Sequence, residues 1–78
     1  MRRRRKKLIR VKAKQGKFGR VISRLRNGKP ILFSDADPLS AEIEVDDVVE
    51  GYLVHETGTY AIMRPVSIIK PDGVVRGA

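Results

Sequence analysis

Hydrophobic and polar residues alternate along several short stretches of the chain, and a period of two residues is typical of β-strands. Val and Ile, which favour strands, are the commonest large apolar residues. No stretch has convincing helical spacing, and residues 39–49 are the one place where a helical turn fits. The predicted strands are residues 8–13, 17–26, 30–34, 46–54 and 59–69. Five short strands predict an all-β fold, a small five-stranded barrel of the OB-like or SH3-like class.

Glycine-containing turns separate the predicted strands. Residues 15–16 (Gln-Gly) turn the chain, and residues 27–28 (Asn-Gly) predict a hairpin with a type I′ turn, because Asn and Gly tolerate positive φ. The acidic stretch 35–45 is predicted to be mainly a loop, with a strand over 41–45 as the alternative. Gly51 interrupts a predicted strand and indicates a bulge or a close approach of two backbones.

The second predicted strand has two different faces. Residues 19, 21, 23 and 25 would share one face, because side chains alternate across a strand. The opposite face consists of Phe18, Arg20, Ile22, Arg24 and Arg26. Aromatic rings and guanidinium planes beside cations are groups that hold single-stranded nucleic acid, so this face is a candidate binding surface. The alternative is that Phe18 and Ile22 belong to the core and that the arginines are simply solvated.

Charge is distributed unevenly along the chain. The net charge is +8, but residues 1–29 contain fourteen Lys or Arg and no acid. Residues 30–63 contain eight acids and neither Lys nor Arg. A polyanion would therefore meet mainly the first third of the chain, and we expect residues 35–56 to face away from the binding surface. The acids of that stretch are predicted to be solvated, with a magnesium or catalytic carboxylate site as the weaker alternative.

The chain divides into an arm, a barrel and a tail. Residues 1–7 are six contiguous cations after Met1, and their mutual repulsion predicts a flexible arm when no ligand is bound. Residues 8–70 are the predicted barrel, and residues 71–78 are predicted to be a flexible tail. No hydrophobic signal segment follows the arm, and no apolar run is long enough to span a bilayer. We therefore expect a soluble, cytoplasmic protein.

The sequence contains few residues that perform chemistry. Cysteine is absent and there is one histidine, so neither a disulfide nor a thiolate metal site is available. His55 lies in a predicted turn with no nucleophile in a recognisable setting, and no glycine-rich phosphate loop is present. We predict no catalytic residue, no cofactor and no metal, and hence a protein that is not an enzyme.

The cations of the arm and of the first strands are the predicted nucleic-acid-binding residues. Together with two aromatic residues they are Arg2, Arg3, Arg4, Arg5, Lys6, Lys7, Arg10, Lys12, Lys14, Lys17, Phe18, Arg20, Arg24, Arg26, Lys29 and Phe33. Such cations release counterions from phosphates, so we expect binding to weaken strongly with salt. RNA is the expected partner, DNA remains open on charge alone, and no membrane interaction is expected.

The order of these features resembles the TRAM domain, a small OB-like RNA-binding barrel. The resemblance is carried by residues 19–24 (Gly-Arg-Val-Ile-Ser-Arg), 27–33 (Asn-Gly-Lys-Pro-Ile-Leu-Phe), 35–39, 48–54 and 60–62. It extends over residues 17–66. The resemblance implies RNA or tRNA binding, or an RNA-chaperone-like role, for Arg20, Arg24, Lys29 and Phe33.

Three other functions fit the same sequence. A ribosomal or other ribonucleoprotein-assembly subunit would also combine a basic tail with a small barrel, and would bind specifically only within its particle. A chromatin-type DNA-binding protein would bind duplex DNA in a length-dependent way. A protein-interaction adaptor would use the acidic residues 35–56 and would tolerate loss of the arm.

Overall fold

The computed structural model of the protein describes residues 8–77, apart from the side chain of Phe18. The predicted basic arm, residues 1–7, lies outside the described residues. The described chain is all-β, as predicted, and contains no α-helix. Its strands are β1 (Leu8–Lys12), β2 (Lys14–Gln15), β3 (Val21–Arg24), β4 (Pro30–Phe33), β5 (Val48–Glu56), β6 (Ala61–Ile69) and β7 (Val75–Gly77). Two short 3₁₀ helices cover Lys17–Gly19 and Pro38–Glu42.

The strands curl into a small, partly open barrel. Their order is β1-β5-β6-β4-β3-β2, and the neighbours are antiparallel except for the parallel pair of β4 and β6. Only Ala13 separates β1 from β2, and its N–H donates to the carbonyl oxygen of Asp47 at 2.7 Å. One N-terminal segment therefore pairs with β5 at its start and with β3 at its end. This brings the two edges of the sheet together and confirms the predicted class of small OB-like or SH3-like barrels.

The core of the barrel is small and mainly aliphatic. Its buried side chains are Ala13, Ile31, Ile43, Val49, Ala61, Met63 and Ile68. Val21 and Leu25 pack against this cluster, so the face that they share in the sequence pattern points inwards. Burial of these side chains is the main favourable contribution to folding, because removing apolar surface from water stabilises a compact state.

The second strand is shorter than the sequence pattern predicts. Lys17–Gly19 forms a 3₁₀ helix, and the strand begins at Val21. Gly19 has a φ of 76°, a left-handed conformation that ends an extended backbone. The N–H of Gly16 donates to the carbonyl oxygen of Arg20 at 2.6 Å and closes the loop. The strand prediction is therefore wrong for residues 17–19 and confirmed for residues 21–24.

The Asn-Gly hairpin forms, but its turn is not of type I′. Gly28 has a φ of 89°. Asp46 is the one non-glycine residue with positive φ in the described chain, so the φ of Asn27 is not positive. A type I′ turn needs positive φ at both central residues, so Asn27 excludes it. The N–H of Gly28 donates to the carbonyl oxygen of Leu25 at 2.9 Å, and the Asn27 side-chain oxygen accepts from the N–H of Lys29 at 3.0 Å. These contacts form a turn in which only the glycine is left-handed.

The acidic stretch 35–45 is a loop around the second 3₁₀ helix, and the alternative strand over 41–45 does not form. Asp37 caps this helix, because its carboxylate accepts from the N–H of Leu39 at 3.0 Å. Ser40 fastens the helix to the end of β4 by donating its hydroxyl to the carbonyl oxygen of Ser34 at 2.6 Å. The loop is thus fixed beside the outer end of β4.

The sheet extends past residue 70, the predicted end of the barrel, into the predicted tail, residues 71–78. A turn closed by the N–H of Lys70, which donates to the carbonyl oxygen of Val74 at 2.7 Å, leads into β7. β7 then pairs antiparallel with β6. Within residues 8–77, no helix has the length and apolar character that crossing a membrane would take.

Candidate nucleic-acid interface

An open groove of about 560 Å³ runs over the outer face of β3 and β4. Ser23 points inwards, is 2% exposed, and donates its hydroxyl to the carbonyl oxygen of Lys12 at 2.7 Å. Its neighbours Ile22 and Arg24 therefore face outwards, because side chains alternate along a strand. The groove is lined by Gln15, Gly16, Lys17, Arg20, Ile22, Arg24, Pro30 and Leu32. We call it the basic groove, since three of these residues are cations and none is an acid.

The loop before β3 places two of these cations at the groove. A Cβ atom on Gly16 would lie 3.0 Å from the carbonyl oxygen of Arg20 and 3.1 Å from the side chain of Ile22. Only glycine allows the loop to lie this close to the strand without displacing its neighbours. This close approach holds Lys17 and Arg20 beside the apolar floor formed by Ile22.

Two cations at the hairpin end of the groove make contacts within the protein. The Arg24 guanidinium donates to the carbonyl oxygen of Gly28 at 2.9 Å, which holds its stem along the strand. The Lys29 ammonium donates to the Glu56 carboxylate and to the carbonyl oxygen of Thr57, each at 2.7 Å. Its side chain is 17% exposed, so Lys29 joins the β3–β4 hairpin to the loop between β5 and β6. Lys29 does not line the basic groove.

A second cationic groove, the seam groove, lies between β1 and β3, where the barrel is partly open. It is lined by Ile9, Arg10, Val11, Lys12, Lys14, Ser23, Arg24, Leu25 and Arg26. Arg24 lines both grooves, so their cations form one continuous surface. In the sequence, the predicted arm immediately precedes Leu8, the first residue of β1.

One seam cation is held by a neighbouring acid. The Arg10 guanidinium donates to the Glu50 carboxylate on β5 at 2.9 Å through Nε. The buried Ser67 donates its hydroxyl to the other Glu50 oxygen at 3.1 Å. Both contacts lower the pKa of Glu50 below its usual value of 4.5, with the larger effect from Arg10.

Glu50 should therefore contribute to stability in a pH-dependent way. A carboxylate whose pKa is lowered by folding stabilises the native state above its unfolded pKa, and loses this effect as the pH falls through the folded pKa. We expect Glu50→Gln to lower the free energy of unfolding at pH 7, and the difference from the original protein to shrink below pH 4.5. Urea unfolding between pH 7 and pH 3 measures this. Arg10→Gln should shrink the same pH dependence, whereas a Glu50→Gln difference that is constant over the range would contradict the assignment.

The predicted interface contains two aromatic residues, Phe18 and Phe33. Phe33 packs against the core cluster and also lines a cavity that contains Arg20. The side chain of Phe18 lies outside the described part of the molecule, so its stacking role stays a prediction. The described floor of the basic groove is aliphatic, and sequence reasoning did not predict the contributions of Pro30 and Leu32.

The acidic residues are largely paired with cations. The ion pairs of the described chain are Arg10–Glu50, Lys29–Glu56, Arg64–Asp37, Lys70–Glu44 and Lys70–Asp47. The separation expected between basic and acidic surfaces is incomplete, because Asp35 and Asp37 line the same cavity as Arg20. Both acids lie in the segment that links β4 to the second 3₁₀ helix.

Lys70 and Asp47 form a structural contact that the sequence did not indicate. Their side chains meet at 2.7 Å, the Asp47 side chain is 1% exposed, and Asp47 also accepts from the N–H of Glu44 at 2.8 Å. The hydrogen bond to Asp47 is the main cause that raises the pKa of Lys70 above its usual value. This network fixes the loop before β5 and takes Lys70 out of the set of cations available to a ligand.

The fold and the site together define a class: a small OB-like or SH3-like barrel with a cationic surface over β1, β3 and the loop before β3. If β1 and β2 are counted as one strand, β3 and β4 are the second and third strands of the barrel. The face of the second and third strands is where OB-folds bind oligonucleotides. The chain matches no protein-family model, no curated protein and no solved structure. The similarity to TRAM domains therefore stays a prediction from the residues quoted above.

Proposed function

We propose that this protein is an RNA-binding module that holds the RNA backbone on the basic groove and the seam groove, with the arm adding salt-dependent affinity. The observation that carries this proposal is the groove on β3 and β4, where Lys17, Arg20 and Arg24 surround an aliphatic floor with no acid among the lining residues. Binding requires neither a cofactor nor a catalytic group.

The chemistry of the basic groove suits single-stranded or locally unpaired RNA. Cations beside a nonpolar floor can contact phosphates while exposed bases lie on the floor and on guanidinium planes. A floor made of Ile22, Pro30 and Leu32 offers no fixed pattern of donors and acceptors. The basic groove should therefore contribute affinity with little dependence on base sequence. The preference for RNA over DNA rests on the TRAM resemblance, and the cationic surface by itself supports binding of either polymer.

A role as a protein-interaction adaptor has less support. Five of the acids in residues 35–56 form ion pairs with cations of the same molecule, so that stretch presents less free negative charge than its composition implies. A ribonucleoprotein-assembly subunit uses the same cationic surface and is the second candidate. An assembly subunit would bind its own particle RNA tightly and unrelated RNA weakly, whereas a general module would bind both.

Replacing the groove arginines tests the proposal. We expect Arg20→Gln combined with Arg24→Gln to weaken binding to a single-stranded RNA, and to flatten the slope of log affinity against log salt by about 0.7 for each lost phosphate contact. Fluorescence anisotropy over a salt series measures both quantities. Arg76→Gln is the matched control, because Arg76 lies on β7 and lines neither groove. Equal slopes for the double variant and the original protein would contradict the assignment of the groove.

A further inference from the structure

A separate cavity of about 310 Å³ lies between β3, β4 and the second 3₁₀ helix. Ile22, Leu32 and Phe33 line its strand side, and Asp35 and Ser40 line its loop side. The volume is at the lower end of the range for small-molecule sites. Its apolar strand side suits the face of a ring system.

The cavity adjoins the basic groove. Arg20, Ile22 and Leu32 line both, so the two sites share a wall. A polymer whose backbone lies along the basic groove passes the mouth of the cavity. One of its bases can enter while the neighbouring phosphates stay with the cations.

Two of the four polar side chains that line the cavity, Asp37 and Ser40, are already hydrogen-bonded within the protein. The Asp37 carboxylate accepts from the N–H of Leu39 at 3.0 Å and from the Arg64 guanidinium at 3.4 Å. The Ser40 hydroxyl donates to a backbone carbonyl oxygen. Asp35 is exposed and has no hydrogen-bond partner among the described residues, so both of its side-chain oxygens are available to a ligand.

A free carboxylate at this place selects what can enter. It repels phosphate, because like charges repel, and it accepts strongly from N–H donors. Guanine is the base whose Watson–Crick edge carries two adjacent donors, the ring N1–H and the exocyclic amine, which match the two oxygens of one carboxylate. Adenine and cytosine place a ring acceptor beside their single amine, and uracil places its one donor between two acceptors.

We propose that this cavity binds one guanine base of an RNA held on the basic groove, with the Asp35 carboxylate accepting from N1–H and the exocyclic amine. The inference rests on the proposed function, because the groove supplies the contacts that bring the RNA to the cavity. It adds base specificity to a surface that otherwise contacts the backbone.

Single-base substitution in a uniform RNA tests the proposal. The probes are a nine-nucleotide oligouridine and the same strand with one central guanosine, inosine, adenosine or cytidine. We expect the guanosine strand to bind about tenfold more tightly than oligouridine, at the modest end of the range for a bidentate base contact. Inosine lacks the exocyclic amine and should fall between them. Adenosine and cytidine should bind like uridine.

Two variants and one control separate the cavity from the groove. Asp35→Asn should abolish the guanosine preference while leaving affinity for oligouridine unchanged or higher, because a negative charge is lost. Ala41→Leu should also remove the preference, since it adds bulk to an exposed residue that lines the cavity. Glu42→Gln is the control, because it removes one exposed acid of the same 3₁₀ helix that does not line the cavity.

The possible results distinguish the inference from the function on which it rests. If oligouridine and the four substituted strands bind with equal affinity, or if the guanosine preference survives Asp35→Asn, the guanine assignment is wrong while RNA binding stands. If none of the strands binds in a salt-dependent way, the proposed function itself is wrong. Guanosine monophosphate should compete poorly, because its single phosphate makes fewer contacts with the groove than the strand does; competition equal to that of the guanosine strand would assign the cavity to a free nucleotide instead.

Discussion

Deleting residues 2–7 should flatten the salt dependence of RNA binding more than any other change to this protein. The deletion removes six contiguous cations. Each phosphate contact contributes about 0.7 to the slope for a single strand, so loss of six contacts should lower the slope by about four. The full chain should lose roughly three orders of magnitude in affinity between about 50 and 200 mM salt, and the shortened chain much less.

Anisotropy titrations at several salt concentrations measure the two slopes. A chain in which the same six residues are replaced by Ser keeps the length and removes the charge, so it should behave like the deletion. A replacement of all six by Lys keeps the charge and should behave like the original chain. An unchanged slope after deletion would show that the arm does not contact RNA, and binding would then depend on the two grooves alone.

Gly51→Ala should destabilise the fold by about 3 kcal/mol or more, at the high end for overpacking a core. A Cβ atom at this position would overlap the carbonyl oxygen of Arg64, which belongs to the backbone of β6 and cannot move aside cheaply. The register between β5 and β6 shifts between Glu50 and Gly51, so the clash falls at a bulge in the most extensive strand pair of the barrel. Relief would require the two strands to separate.

Urea unfolding of the variant measures this effect. Gly58→Ala is the matched control, because a Cβ atom there would meet nothing within 4 Å. It should change the free energy of unfolding by less than about 0.5 kcal/mol, as expected for an exposed site. A Gly51→Ala protein as stable as the Gly58→Ala protein would contradict the close packing of β5 on β6.

Local patterns predicted much of the fold. Alternation located the strands that form β1, β3, β4, β5 and β6, and it indicated which residues of the second strand share a face. The glycine at position 51 predicted a bulge or close approach, and the structure contains both. These features are determined by residues that lie close together along the chain, so they can be predicted from a single sequence.

Errors arose where the backbone departs from a regular strand or where distant residues meet. Residues 17–19 alternate like a strand, but the close contact of Gly16 with β3 folds them into a 3₁₀ helix. Short stretches at 14–15 and 75–77 become strands only because β3 and β6 offer them edges. Pairing of this kind depends on the tertiary arrangement of the strands, so no local sequence pattern predicts it.

The sequence predicted the positive charge of the interface, but it did not predict which cations line the groove and which are held by other residues of the protein. The outward arginines at 20 and 24 follow from alternation and line the basic groove as expected. Lys29 could not be separated from them by sequence, because its partners Glu56 and Thr57 lie 27 and 28 residues away. That Asp35 lines the same cavity as Arg20 could likewise not be read from the sequence, because the two residues are 15 positions apart.

The central claim is that RNA binds the cationic surface formed by the arm, the basic groove and the seam groove. Titrating the full chain with a short single-stranded RNA, while following its backbone amide NMR signals, tests it most directly. We expect the largest shifts over residues 2–26 and at Leu32, and small shifts over residues 44–47 and in β7. Shifts concentrated in residues 44–56, or no shifts at low salt, would contradict the account.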